Sequence, residues 1–187
     1  LFRSLPERRE AVAAHYRRAQ GLDLDWKSEV TITSGATEAL AAAFLGLIQP
    51  GDEVVVFQPL YDAYLPLIRR AGGVPRLVKL SPPHWRFDRA MLEAAFGPRT
   101  RFVVLNNPIN PAGAVLPVEH LRKVVEWARE RGALVVSDEC YLGLGWDAEP
   151  VSILDPRVCD GETAGLLAVN SLSKTSSNVF PEIYSDT

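Results

Sequence analysis

Once a first helical pattern over about 6–18 is passed, the sequence alternates short apolar, β-rich runs with helical stretches, and turn residues separate them. Strand-like runs stand at 30–33, 53–57, 76–80, 101–105, 133–137 and 165–169. Helical patterns cover an alanine-rich stretch ending at Ile48, then about 64–70, 88–96 and 117–131. Pro50-Gly51-Asp52, Gly72-Gly73 and Gly97-Pro98 supply turn chemistry, and the last of these helices has Pro117 at its start and Gly132 just past its end. This alternation predicts an α/β fold, a mostly parallel sheet with helices on both faces. In an open sheet of this kind ligands bind beyond the carboxyl ends of the strands. The residues that follow each strand are therefore where chemistry is to be sought.

The 187 residues suffice for one domain with a substantial core, and 47% hydrophobic with 23% charged residues suits a soluble globular chain. A net charge of -3 with no basic run argues against nucleic acid or an anionic membrane as partner. The longest apolar stretches, such as residues 39–48, are too short to span a bilayer. Cys140 and Cys159 form neither a CxxC pair nor a disulfide framework, so a reducing cytoplasm is the simplest setting, with both thiols as small hydrophobes. Zinc-ligand spacing, GxGxxG after the first strand, GxSxG and GxxxxGK[ST] are all missing, which counts against NAD, hydrolase and nucleotide chemistry.

Five of the six strand-like runs are followed at once by residues unusual for a connection. Ser34-Gly35-Ala36-Thr37 opens a helix, where free N–H groups and the helix dipole can bind a phosphate. A plain N-cap is the commoner use of such residues. Tyr61 and Tyr64 follow the second run, and either could stack on a flat ring or simply pack. The loop from Asn106 to Gly113 has two Asn-Pro steps, which force a rigid path and leave the Asn110 amide available to a ligand. Asp138 emerges from a buried apolar strand, a costly place for a carboxylate unless a cation pairs with it. Lys174, four residues after Asn170, belongs to the same edge.

One cofactor accounts for a phosphate cradle, an aromatic stacker, an amide, a carboxylate and a lysine together. Pyridoxal phosphate needs a lysine to form a Schiff base, and a carboxylate to keep its pyridine nitrogen protonated so that the ring accepts carbanion electrons.

With TSGATEAL, PGDEVVVFQPLYDAY, NNPINPAG, VVSDECY and NSLSK in this order, the sequence resembles the class I/II aminotransferases of fold type I from about residue 5 to 178. The resemblance implies that Gly35, Ala36, Thr37 and Ser171 hold the cofactor phosphate and that Tyr61 stacks on the ring. It assigns the phenolic oxygen to Asn110 and Tyr141, the ring nitrogen to Asp138, and the Schiff base and proton transfer to Lys174. Amino acids and 2-oxo acids are the implied substrates, and a homodimer is the implied assembly. The stretch Leu80-Ser81-Pro82-Pro83-His84-Trp85-Arg86 is similar to the branch that holds methionine, glutamine and kynurenine aminotransferases, although an ordinary surface loop would explain His84-Trp85.

Some positions depart from the family pattern. Ala112 stands in the usual NPTG motif, Ile109 where histidine is frequent, and Cys140 and Leu142 flank Tyr141 in place of valine and an acid. Where the family carries a basic residue eight positions after the lysine, this chain has Glu182, preceded by Phe180-Pro181. The expected organisation is a partial cofactor-binding large domain over 1–178 and a divergent tail over 179–187, without the small domain that binds the substrate carboxylate. Besides transamination, the residues leave open a cysteine-conjugate β-lyase on the same site, a regulator with an aminotransferase-like domain, and a non-catalytic remnant.

Overall fold

The computed structural model describes residues 4–145 and 147–174. Five strands form one wholly parallel sheet: β1 (Glu53–Gln58), β2 (Val74–Lys79), β3 (Thr100–Asn106), β4 (Leu134–Asp138) and β5 (Leu166–Val169), in the order β2-β1-β3-β4-β5. Six helices accompany them: α1 (Pro6–Gln20), α2 (Ala36–Leu47), α3 (Tyr64–Arg70), α4 (Arg89–Ala95), α5 (Val118–Glu130) and the single turn α6 (Pro156–Cys159). The central strands are apolar through their middle residues because both faces are covered there. Val54, Val56, Phe102, Val104 and Val136 pack with α2 and α3, whereas Val55, Phe57, Val103, Leu105 and Val135 pack with the layer holding α1, α4, α5 and α6. Helix α5 shows the matching periodicity, with Leu121, Val124, Val125 and Ala128 buried on one stripe.

The expected α/β architecture is therefore present, with one correction. Residues 30–33 form no strand. Val30 is buried, yet no ladder partner among the described residues pairs with this segment, and a β-rich composition becomes a strand only where another strand offers hydrogen bonds. The short helix α6 was not anticipated; Asp155 caps it by accepting the Arg157 N–H at 2.8 Å, and Pro156 opens it. The tail over 179–187 and Glu182 lie outside the described residues.

After β2 the chain returns across β1 to build β3, and from there it moves steadily outward. The order thus reverses between β1 and β3, and a crevice opens beyond the carboxyl ends of strands at such a reversal. At the opposite edge Glu53, 2% exposed, is tied to Arg76 of β2 and receives the Thr100 hydroxyl of β3 at 3.4 Å. The Arg76 guanidinium holds this carboxyl below its ordinary range.

Helix α4 begins with a side-chain cap, Asp88 Oδ1 accepting the Met91 N–H at 2.8 Å. Replacing Asp88 with alanine leaves that donor without its acceptor and should cost about 1 kcal/mol of folding stability, read from urea midpoints. An unchanged midpoint would show that solvent serves the helix end equally well. Among the described residues no helix is long and apolar enough to cross a membrane.

Candidate active site

The register of the sheet sets Asn106 of β3 opposite Asp138 of β4, and Asp138 opposite Val169 of β5. These strands end together, and the loops that follow them carry most of the residues singled out in the sequence. Asp138 is the last residue of β4 and is 6% exposed. Both of its carboxylate oxygens are engaged. The Tyr64 hydroxyl donates to Oδ2 at 2.6 Å, and the Cys140 N–H donates to Oδ1 at 3.2 Å. The carboxylate is thus held by two donors that keep its charge satisfied in a largely dry place.

The Asn-Pro loop after β3 is tied to the same residue through its backbone. The Asn106 amide and the Asn107 N–H both donate to the Asp138 carbonyl, at 3.0 and 3.1 Å. Asn106 Oδ1 in turn accepts the Asn110 N–H at 2.6 Å, which places Asn110, half-buried, on a loop anchored to the end of β4. Asn107 locks the far end of this loop, its Oδ1 accepting the Leu116 N–H at 2.8 Å. The rigidity expected from two Asn-Pro steps is therefore reinforced by buried amide side chains, of which Asn107 is 1% exposed.

Tyr61 lies between β1 and α3, half-buried, with its ring edge-to-face on Tyr64 at 5.6 Å between centroids. Tyr141 is half-buried in the turn after Asp138, where its carbonyl accepts the Leu144 N–H at 2.9 Å. Beyond β5, Ser171 lies at the start of a 3-10 turn spanning Leu172–Lys174, its hydroxyl 2.8 Å from that of Ser173. Lys174 is exposed, and its positive charge acts on the Cys140 thiol, two residues past Asp138. Burial and the Asp138 carboxylate outweigh that charge and push the thiol well above its ordinary range, so Cys140 is a poor nucleophile here.

The Ser34–Thr37 segment reaches this edge by a route other than the expected one. No strand precedes it. Instead α2 ends at Leu47 and a tight turn through Gly51 enters β1 at Glu53, so α2 runs back along the sheet. At about 1.5 Å per residue a twelve-residue helix covers about 18 Å, close to the length of a six-residue strand. Its N-terminus therefore lies toward the carboxyl ends of the strands, with Ala36 packed in the same apolar cluster as Leu60 and Tyr61. Gly35, at φ 89° and ψ 166°, precedes the helix in a conformation that suits glycine alone. A Cβ built on Gly35 would meet nothing within 4 Å, so the space beside this backbone is open. The N–H groups of Ala36, Thr37 and Glu38 have no carbonyl four residues back within the helix. The Glu38 carboxylate accepts the Ser34 N–H, and the Thr33 hydroxyl donates to the Gly35 carbonyl at 2.9 Å.

Two buried groups beside Asp138 have contacts that the sequence does not show. Tyr64 reads there as a ring stacker or a packing aromatic, and its bond to Asp138 spans 74 residues of chain that no local pattern connects. Glu139, 0% exposed, accepts the Ile153 N–H at 2.7 Å, and burial raises its carboxyl from 4.5 to about 7. A charged residue directly after an apolar strand is the available signal, but a carboxylate in a connection is ordinarily solvated, so nothing local says that this one is buried.

The family model for aminotransferase class I and II matches residues 2–177. A probable aminotransferase of Mycobacterium tuberculosis is 49% identical over 172 residues, covering 90% of this chain and 38% of that protein. Methionine aminotransferase of Escherichia coli is 41% identical over 133 residues, covering 71% of this chain and 34% of the relative. Among solved structures, N-succinyldiaminopimelate aminotransferase from Mycobacterium tuberculosis superimposes with a TM-score of 0.87 at 37% identity, over 93% of this chain and 45% of that one. An Escherichia coli structure described as having a methionine aminotransferase function gives 0.87 at 32% identity, over 97% and 51% of the two chains. The chain spans less than half the length of the curated relatives named here.

Proposed function

Because this chain belongs to the class I and II aminotransferases, a family of pyridoxal phosphate-dependent transferases, we propose that it forms part of a cofactor site serving amino-group transfer between an amino acid and a 2-oxo acid. The observation that carries this reading is the buried Asp138 carboxylate, held on both oxygens at the end of β4, with the Lys174 charge acting two residues away. The donor set fits the cofactor: an open glycine backbone at a helix start for a phosphate, a tyrosine for a ring face, a carboxylate for a ring nitrogen and an amine for an aldehyde.

In this reading Gly35, Ala36, Thr37 and Ser171 bind the phosphate, Tyr61 covers the ring, and Asn110 and Tyr141 bind the phenolic oxygen. Asp138 would keep the ring nitrogen protonated, and Lys174 would supply the amine that holds the cofactor and would afterwards move a proton at the substrate α-carbon. Bound there, pyridoxal phosphate supplies an electron sink for negative charge at that carbon. The whole protein, by its likeness to the family, works as a homodimer.

The test is uptake of pyridoxal phosphate by the 187-residue chain, followed as a new absorbance band on titration. Uptake that is lost with Asp138→Ala supports the site. A chain that shows no band, or whose band is indifferent to Asp138→Ala, would sink the reading. Activity is a separate measurement, and we expect no transaminase turnover from this chain by itself, since it spans under half of its relatives.

A further inference from the structure

Tyr64 is 1% exposed and touches two of the groups assigned to the ring site. Its hydroxyl donates to Asp138 Oδ2 at 2.6 Å, and its ring meets Tyr61 edge-on at 80°. It is also the first residue of α3, whose next turn buries Ile68 against the sheet, so the phenol is anchored by a core helix and not by a loop. Burial and the Asp138 charge keep its hydroxyl protonated far beyond neutral pH, so it donates and never competes as an anion. With the Cys140 N–H on Oδ1, the Tyr64 bond leaves the carboxylate a single plane in which to lie.

We propose that Tyr64 is a positioning residue: it fixes the Asp138 carboxylate and braces Tyr61, so that a pyridine ring meets both already aligned. This rests on the reading of Asp138 as partner of the ring nitrogen. A group that aligns a carboxylate matters only to a ligand that uses the carboxylate, and this separates the role from simple packing.

The experiment compares pyridoxal phosphate with the same aldehyde phosphate carrying CH in place of the ring nitrogen, both titrated into the full chain by absorbance. Tyr64→Phe keeps the ring and its packing and removes the hydroxyl. It should weaken pyridoxal phosphate about tenfold, the scale of a hydrogen bond to a charged group, and leave the nitrogen-free analogue within about twofold. Equal weakening of both aldehydes, or of neither, overturns the assignment. Asp138→Ala provides the reference, because Asn106 and Asn107 bind the backbone of Asp138 and not its side chain. If Asp138→Ala fails to discriminate between the aldehydes, the ring-nitrogen reading fails. If Asp138→Ala discriminates and Tyr64→Phe does not, only the role of Tyr64 fails. A parent chain that takes up neither aldehyde overturns both. Should Tyr64→Phe prove less stable in urea, both titrations are repeated at a lower temperature where the variant is fully folded, and the same contrast of about tenfold against about twofold is expected. Equal weakening of the two aldehydes under those conditions overturns the assignment.

Discussion

Replacing Lys174 with alanine is expected to abolish covalent attachment of pyridoxal phosphate, measured by incubating the chain with the cofactor, fixing it with borohydride and mapping the labelled peptide. The chain has four lysines, Lys27, Lys79, Lys123 and Lys174, so each can be followed separately. Lys79 is the informative control. It ends β2 and is exposed, so it sits at the same edge of the sheet as Lys174. What it lacks is the neighbourhood: Lys174 acts on Cys140, whose N–H binds Asp138, whereas Lys79 pairs in register with Gln58 at the far side of the reversal. Lys79→Ala should therefore leave labelling intact. Label that moves to Lys79 or Lys123, or that persists in Lys174→Ala, would show ordinary reaction of exposed amines with an aldehyde. Pyridoxal without its phosphate should label Lys174 with much less preference, since the open backbone at Gly35 and the start of α2 would have no anion to bind.

The second large effect concerns Glu139 and the pH dependence of stability. In the unfolded chain its carboxyl loses its proton near 4.5, whereas burial holds the proton in the folded chain until about 7. Below 4.5 both states are protonated and the contribution to stability is complete. As pH rises toward 7 the unfolded state gains by ionising and the folded state does not, so stability falls by about 1.4 kcal/mol per pH unit, about 3 kcal/mol in all. Glu139→Gln keeps an acceptor for the Ile153 N–H and has nothing to titrate. Urea midpoints between pH 4.5 and 8 should decline in the parent chain and lie flatter in the variant. Parallel curves would mean that other groups, not Glu139, set the slope. The carboxyl sits next to Asp138 in sequence, and the Tyr16 phenol feels its charge, being pushed up by burial first and by Glu139 second. A steep decline would thus report on the same end of β4 that the proposed cofactor site uses.

Much of the architecture was legible because a parallel sheet covered on both faces forces its strands to be apolar throughout, and such runs at 53–57, 101–105 and 133–137 stand out without any knowledge of their neighbours. The ends of those runs were equally plain, since Asp138 and the Asn-Pro loop are out of character for a connection. The misplaced strand at 30–33 marks the limit of that logic. Val30 is buried as a strand residue would be, but strand formation depends on a partner elsewhere in the chain. The Ser34–Thr37 segment was found by its chemistry and explained by the wrong geometry. It reaches the carboxyl edge because α2 runs back along the sheet, not because a strand delivers it.

The alternation of apolar runs and helices with which the sequence announces itself determined the fold class and the edge at which to look. Residue chemistry within the connections pointed to Gly35, Asn110, Asp138, Lys174 and one of Tyr61 and Tyr64, and the family resemblance chose Tyr61 and added Tyr141 and Ser171. Only the tertiary structure decided how Asp138 is held. Its two donors come from Cys140, two residues after it, and from Tyr64, on the far side of the strand reversal. A hydrogen bond between residues 74 positions apart is set by strand order and by the packing of α3 on the sheet, and neither is written in any local window of sequence.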